Sequence, residues 1–223
     1  GFNGTETFNF SDSASNILDP ANRAELLTAN SVSVTGGAAG ALSKADYNEL
    51  ELLTKGTSWS FSLEDTAENL QTTPVEVLIA ASSVEFTSTA SVVQANHVLQ
   101  YFLSEAVNGS LELKDTSAAI AASPTQTFTG KVDEITLTTA ATVAQAQIVL
   151  GHGADPVNWG PGITDTASEL LANAVLFNAG STPLGPLSAV TDVAVTGNNA
   201  GELRLAEYDL LKNITTGADD WAA

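Results

Sequence analysis

At 223 residues, with 43% hydrophobic and only 15% charged residues, the chain is long enough for a substantial core and too apolar for an acidic disordered tail. Seven basic residues against 26 acidic ones leave a net charge of −19, which argues against nucleic acid and anionic membranes as partners and fits cation binding or plain solubility in salty water. The lack of Cys excludes a disulfide frame, a thiolate zinc site and a cysteine nucleophile, and no apolar run approaches the ~20 residues of a spanning helix.

In chain order, the first predicted element is an alternating strand at Phe8 and Phe10, running into Ser11-Asp12-Ser13-Ala14 with Ile17 five places after the Asp. The passage recurs as Phe61-Ser62-Leu63-Glu64-Asp65-Thr66-Ala67, as Leu111-Glu112-Leu113-Lys114-Asp115-Thr116-Ser117, and more weakly around Ile163-Thr164-Asp165-Thr166-Ala167. The aspartates are spaced by 53, 50 and 50 residues, the signature of stacked supersecondary units. Asp is a good helix N-cap, and Asp65 with Glu68 has the spacing of a capping box, so each Asp is expected to start a short helix. Pro20, Pro74 and Pro124 should end those helices, and Ala21–Ala29 and Val75–Ala81 read as second helices after a proline.

The second half of each unit opens with another alternating strand: Val32–Val34, Val84–Phe86, Ile135–Leu137 and Val193–Val195. Helices should follow from Ser43, from Ser91-Val92-Val93-Gln94-Ala95, from Thr142-Val143-Ala144-Gln145-Ala146, and around Leu203–Leu211. Ser or Thr with Gln three places on is a capping box, and Val92, Ala95, Val98, Leu99 and Phe102 keep helical spacing. The fourth copy carries about eight extra residues, within 180–188, and Gly151–Gly162 forms another long Gly- and Pro-rich stretch; both are expected to be surface turns.

The expected fold is therefore α/β: tandem βαβα repeats forming a leucine-rich-repeat-like parallel-strand solenoid in a single repeat domain, 1–223. A closed (βα)8-type barrel is the alternative. The copies run approximately 5–57, 58–108, 109–156 and 157–220. Trp221 marks the start of a fifth at 221–223, in register with Trp59 and Trp159, which favours the solenoid and a chain that continues. With Gly1 first, no Met and no signal peptide, the sequence reads as a processed product or a piece of something larger.

Candidate chemistry is sparse. Asp12, Asp65, Asp115 and Asp165 could form a ladder of calcium ligands, but each copy offers one fixed carboxylate beside Ser or Thr, and capping accounts for it. His97 occupies a helix slot where the next copy has Ile148, and His152 lies between two glycines; neither has a partner at metal-ligand spacing. No Gly-x-Ser-x-Gly elbow or phosphate loop is present. Asp219/Asp220 read as a solvated pair, and Trp59, Trp159 and Trp221, which could line a sugar-binding surface, recur in register as strand-start packing residues should. No catalytic, cofactor-binding or metal residue is assigned; calcium is the one cofactor the acidic surface would admit.

The motifs Asp65-Thr66-Ala67-Glu68-Asn69-Leu70 and Thr142-Val143-Ala144-Gln145-Ala146 resemble repeats of giant secreted or surface proteins of marine bacteria, especially cyanobacteria, and of some cyanophage structural proteins. The resemblance implies an extracellular, cell-surface or virion-surface location and a structural role, and brings no catalytic residues. The expected function is a non-enzymatic scaffold, S-layer-like in kind, that associates with itself or with neighbouring repeats, without nucleic acid and without membrane insertion. An adhesin or carbohydrate-binding solenoid, calcium-assisted, is the alternative.

Overall fold

The computed structural model describes residues 8–54, 57–101, 110–124, 128, 130–177, 185–196 and 202–215. The protein is mixed α/β, and every strand pair among these residues is parallel. It divides into two compact units, Gly1–Thr89 with Val93–Ser110 and Ala90–Val92 with Leu111–Ala223.

In the first unit β1 (Asn9–Asp12) pairs with β2 (Ser31–Val34), and the crossover between them carries α1 (Ala14–Ile17) and α2 (Arg23–Thr28). The chain then turns through Thr35–Gly37 into β3 (Ala38–Leu42) and α3 (Lys44–Thr54). Next, β4 (Ser60–Asp65) lies between β3 and β5 (Val84–Phe86), with α4 (Ala67–Gln71) and α5 (Val75–Ala80) in the second crossover. The helix α6 (Val92–Leu99) follows, its first residue counted with the second unit.

The second unit holds β6 (Glu112–Asp115), α7 (Ser117–Ala122), β7 (Glu134–Leu137), α8 (Val143–Gly151), β8 (Val157–Asn158), β9 (Ile163–Asp165), α9 (Ala167–Ala172), α10 (Ala174–Phe177), β10 (Val193–Val195) and α11 (Leu205–Ile214). Its strands pair in the order β6-β7-β8 and β9-β10, with single parallel bridges Ala90↔Leu113 and Ala141↔Ile163.

The strands alternate as their sequences predict. Phe61, Leu63 and Asp65 of β4 face inward, as do Val32 and Val34 of β2 and Ile135 and Leu137 of β7. The inward apolar residues meet one stripe of each helix, for example Leu70 and Leu78 in the first unit and Ile120 and Leu170 in the second, all 0% exposed. Each such side chain contributes about 1.5–3 kcal/mol of burial.

Register gives the repeat a physical step. Asn9 pairs with Ser31, Leu63 with Val84, Leu113 with Ile135, and Ile135 with Val157, so one strand-to-strand turn takes 21 or 22 residues. Ile163 pairs with Val193, 30 residues on, which locates the eight-residue insertion of the fourth copy inside the β9–β10 crossover.

The eight predicted strands are all present, and among the described residues two more accompany them. Of these, β3 was hidden because Ala38–Leu42 shows no apolar alternation and buries only Leu42. The other, β8, lies in Gly151–Gly162, which is corrected here from a surface turn: Trp159 is 8% and His152 0% exposed. Backbone bonds from Asp155 N–H to the Asp133 carbonyl (3.1 Å) and from Ile135 N–H to that of Pro156 (3.3 Å) lay this segment against β7. The second helices after Pro20 and Pro74 are α2 and α5, and Pro74 itself is the N-cap of α5 and not its first helical residue. Residues 125–127, Phe102 and most of 180–188 lie outside the described residues.

Candidate functional site

The four repeated aspartates sit where their strands end. Their role differs from the expected one by one residue, a correction that changes what the repeat does. The N-caps are Ser13, Thr66, Thr116 and Thr166, whose hydroxyls accept from the amides of Asn16, Asn69, Ala119 and Glu169 at 3.1–3.3 Å. Asp65 and Glu68 accordingly form no capping box; the hydroxyl that caps α4 belongs to Thr66.

Each aspartate stands just outside its helix, and Asp65, Asp115 and Asp165 bridge two turns. Oδ1 accepts the N–H of the N-cap residue, at 2.7 Å in Asp12, Asp65 and Asp115 and 2.8 Å in Asp165. Oδ2 of Asp65 accepts the N–H of Lys44 at 2.8 Å, that of Asp115 the N–H of Val92 at 3.0 Å, and that of Asp165 the N–H of Val143 at 2.9 Å. Lys44, Val92 and Val143 are the first residues of α3, α6 and α8, so each carboxylate satisfies an orphan amide of the helix in the preceding turn.

The intervening turns use a hydroxyl for the same purpose. The N–H of Ala67, first in α4, reaches Ser88 Oγ at 3.0 Å, and that of Ser117, first in α7, reaches Thr139 Oγ1 at 3.1 Å. Donor and acceptor are 21 to 23 residues apart in all five cases, matching the strand step. Successive turns are thus stitched at the helix N-termini by an acceptor that alternates between Asp and Ser/Thr. Thr142 and Gln145 add the expected capping box on α8.

In Asp65, Asp115 and Asp165 both carboxylate oxygens accept backbone N–H groups. Among the described residues no three His, Asp or Glu side chains cluster as a metal site. Burial pushes the carboxyl of Asp65 up, but bonds from Asn69, the Lys44 N–H and the Thr66 N–H, with the Lys44 charge, outweigh it and hold it below the usual value. A carboxyl whose folded pKa lies below its unfolded one contributes stability that is complete above about pH 4 and is lost as pH falls through the folded value. Urea midpoints measured from pH 7 to pH 3 should therefore fall more steeply for the wild type than for Asp65→Asn.

The histidines serve packing. His97 is half-buried, with Nε2 3.5 Å from the Thr73 carbonyl and its ring edge-on to Tyr101. His152 is wholly buried: Nε2 lies 3.2 Å from the Ile120 carbonyl, so it carries the proton, and the ring packs edge-on to Phe128 at 5.4 Å. Its Nδ1 has no hydrogen-bond partner among the described residues. The sequence held a clue to this burial, since a 51-residue shift aligns His152 with Tyr101, just as it aligns Thr142 with Ser91.

Trp59 lies immediately before β4. Its indole N–H donates to Thr54 Oγ1 at 3.1 Å, and its ring meets Tyr47 and Phe61 at 5.5 and 5.2 Å. Burial raises the Tyr47 phenol, and the charges of Glu51 and Glu76 add to the shift. Trp159 is 8% exposed. Trp221, Asp219 and Asp220 lie outside the described residues.

A cavity of ≈ 210 Å³ beside Trp159 and Asp192, and another of ≈ 140 Å³ beside Phe10 and Asp12, have no histidine among their lining residues. No helix among the described residues is long and apolar enough to cross a membrane. No protein-family model matches the chain, and no curated protein matches it.

Proposed function

We propose that the protein is a non-enzymatic structural repeat module of an extracellular, cell-surface or virion-surface assembly, acting by self-association. Its turns would continue as an open, leucine-rich-repeat-like solenoid, in preference to closing as a (βα)8-type barrel. The observation that carries this reading is the stitch between turns. The most regular polar groups of the chain, Asp65, Ser88, Asp115, Thr139 and Asp165, are all spent on backbone amides of an adjacent turn. A chain that invests its recurrent carboxylates in joining repeats is organised for stacking, and quasi-one-dimensional stacks present the same joint wherever they stop. The likeness of its motifs to repeats of giant marine bacterial surface proteins supports the same reading.

Sedimentation velocity over a concentration series tests it. Reversible association that grows with concentration is expected, whereas a strict monomer up to about 0.5 mM, a range that reaches millimolar-class affinities, would remove the self-association reading. A glycan array run with and without chelator addresses the adhesin alternative: specific, chelator-sensitive binding would replace the scaffold with a lectin-like module.

A further inference from the structure

Trp59 and Trp159 hold one place in two copies of the repeat, each six residues before its aspartate, and the two sites have diverged. The Trp59 indole N–H donates to Thr54 Oγ1 at 3.1 Å, and its ring meets Phe61 at 5.2 Å. A 100-residue shift, which carries Asp65 onto Asp165, puts Ala154 in the place of Thr54 and Pro161 in the place of Phe61. The acceptor and the aromatic neighbour are thus both lost. The Trp159 indole N–H has no hydrogen-bond partner among the described residues. Nor is it sealed off: among these residues the wholly buried side-chain nitrogen that lacks a partner is His152 Nδ1 alone, so the indole N–H is reached by solvent.

Trp159 lines the ≈ 210 Å³ cavity, with Val157 and Ala189 as further apolar lining and Asn158, Thr191 and Asp192 as polar lining. Two segments make it, the turn after β8 and the stretch before β10. The second belongs to the β9–β10 crossover, whose strands pair 30 residues apart where the other pairs are 21 or 22 apart. The walls are fixed by backbone: the Gly162 N–H donates to the Trp159 carbonyl and the Ile163 N–H to the Asp192 carbonyl, both at 2.8 Å. Asn158 Oδ1 accepts the Gly160 N–H at 3.1 Å, so its side-chain NH2 points its donors elsewhere. That NH2 and the Thr191 hydroxyl have no hydrogen-bond partner among the described residues.

We propose that this cavity binds a single neutral sugar ring, without a metal ion. Indole and amide N–H donors, a carboxylate acceptor and a hydroxyl that does both form a mixed set, and sugar hydroxyls, each donor and acceptor, match it. Val157, Ala189 and the Trp159 ring suit the C–H face of a pyranose. An anion would meet the charge of Asp192. A hard cation needs six or more oxygens and would face N–H donors instead. An ammonium group, which Trp and Asp alone would attract, is disfavoured by the same donors. The cavity is smaller than the ~300–1,000 Å³ typical of ligand sites, and Trp159 is only 8% exposed, so affinity should be of millimolar class. The proposal does not rest on self-association, and a sugar held without calcium leaves the scaffold reading intact.

The test follows the indole N–H signals of the 15N-labelled protein, with Trp159→Phe identifying the Trp159 signal by its loss. Methyl glycosides of glucose, galactose, mannose, fucose and N-acetylglucosamine are titrated to about 30 mM, a range that reaches millimolar affinities. At least one should shift the Trp159 signal saturably, leave that of Trp59 in place, and act equally with EDTA present. Ala189→Trp, which fills the cavity, and Thr191→Val, which removes the hydroxyl, should each weaken binding at least about fivefold. Both positions are exposed, and thermal midpoints verify the fold; should Ala189→Trp not fold, Thr191→Val decides. If no glycoside moves the Trp159 signal, or if binding persists undiminished in the folded variants, the sugar site is wrong. A response to tetramethylammonium and to no glycoside would make the cavity a cation pocket and overturn the proposal, as would a response that EDTA abolishes.

Discussion

Gly162→Ala is expected to destabilise the second unit by about 3–5 kcal/mol and to break the pairing of β9 with β10. Gly162 has φ +85°, in the left-handed region, where an added Cβ costs about 1–2 kcal/mol. Space is the larger obstacle. An ideal Cβ would stand 2.0 Å from the carbonyl oxygen of Asp192 and 2.7 Å from its Cβ. That carbonyl accepts the Ile163 N–H at 2.8 Å, the Gly162 carbonyl accepts the Ala141 N–H at 3.0 Å, and the Gly162 N–H donates to the Trp159 carbonyl at 2.8 Å. The residue cannot move aside without giving up bonds worth about 0.5–1.5 kcal/mol each. Gly153→Ala is the control: its φ is +78°, but nothing lies within 4 Å of the added Cβ, so only the backbone penalty should appear. Urea unfolding followed by Trp159 fluorescence gives the energies, and amide exchange at Ile163 shows whether the ladder opens; equal costs for the two variants would dismiss the clash.

Gly162 also shows why part of this fold was illegible. Alternating apolar pairs such as Val32/Val34 and Ile135/Leu137 declare inward-facing strands, because burial on one face imposes a period of two. The segment Gly151–Gly162 declares only turn chemistry, yet it enters the ladder because its backbone bonds to β7, and a backbone bond asks nothing of a side chain. The same reasoning explains β3, whose Ala and Gly carry no pattern. At the joints, sequence spacing located the aspartates and the idea of capping, and failed on which helix was capped. An Asp followed by Thr is ambiguous locally, since either can be the N-cap. Only the neighbouring turn, 21 to 23 residues away in sequence, shows that Thr takes its own helix and Asp the previous one. Ser88 and Thr139 passed unnoticed for the same reason: a hydroxyl after a strand looks like ordinary surface until the amide it accepts is placed beside it.

Asp65→Ala should cost the first unit about 3 kcal/mol, more than an exposed acidic residue normally commands. Three N–H donors lose their acceptor: the backbone of Lys44 at 2.8 Å, that of Thr66 at 2.7 Å and the side chain of Asn69 at 2.8 Å. Bonds to a charged acceptor contribute about 1.5–3 kcal/mol, but Thr66 and Asn69 are exposed and water replaces part of what they lose. The half-buried Lys44 amide has less recourse. Asp65→Asn keeps one acceptor oxygen, which can serve Lys44 or Thr66 and not both, so it should fall between wild type and Asp65→Ala. The stitch itself can be isolated by a double-mutant cycle with Lys44→Pro. Proline is tolerated at a first helical position, where it removes the N–H and leaves no donor unsatisfied. A coupling of about 1 kcal/mol or more between the two substitutions is expected, read from urea unfolding by Trp59 fluorescence. Lys44→Ala keeps the amide and removes the ammonium, which bonds the Thr72 carbonyl at 2.9 Å and acts on Asp65 only through its charge. Its cycle with Asp65→Ala should show the smaller coupling, because a partly exposed charge–charge attraction without a direct contact is worth little. Should the two cycles agree, charge and not the amide bond joins the turns, and the alternation of Asp with Ser and Thr, whose hydroxyls carry no charge, would lose its physical basis.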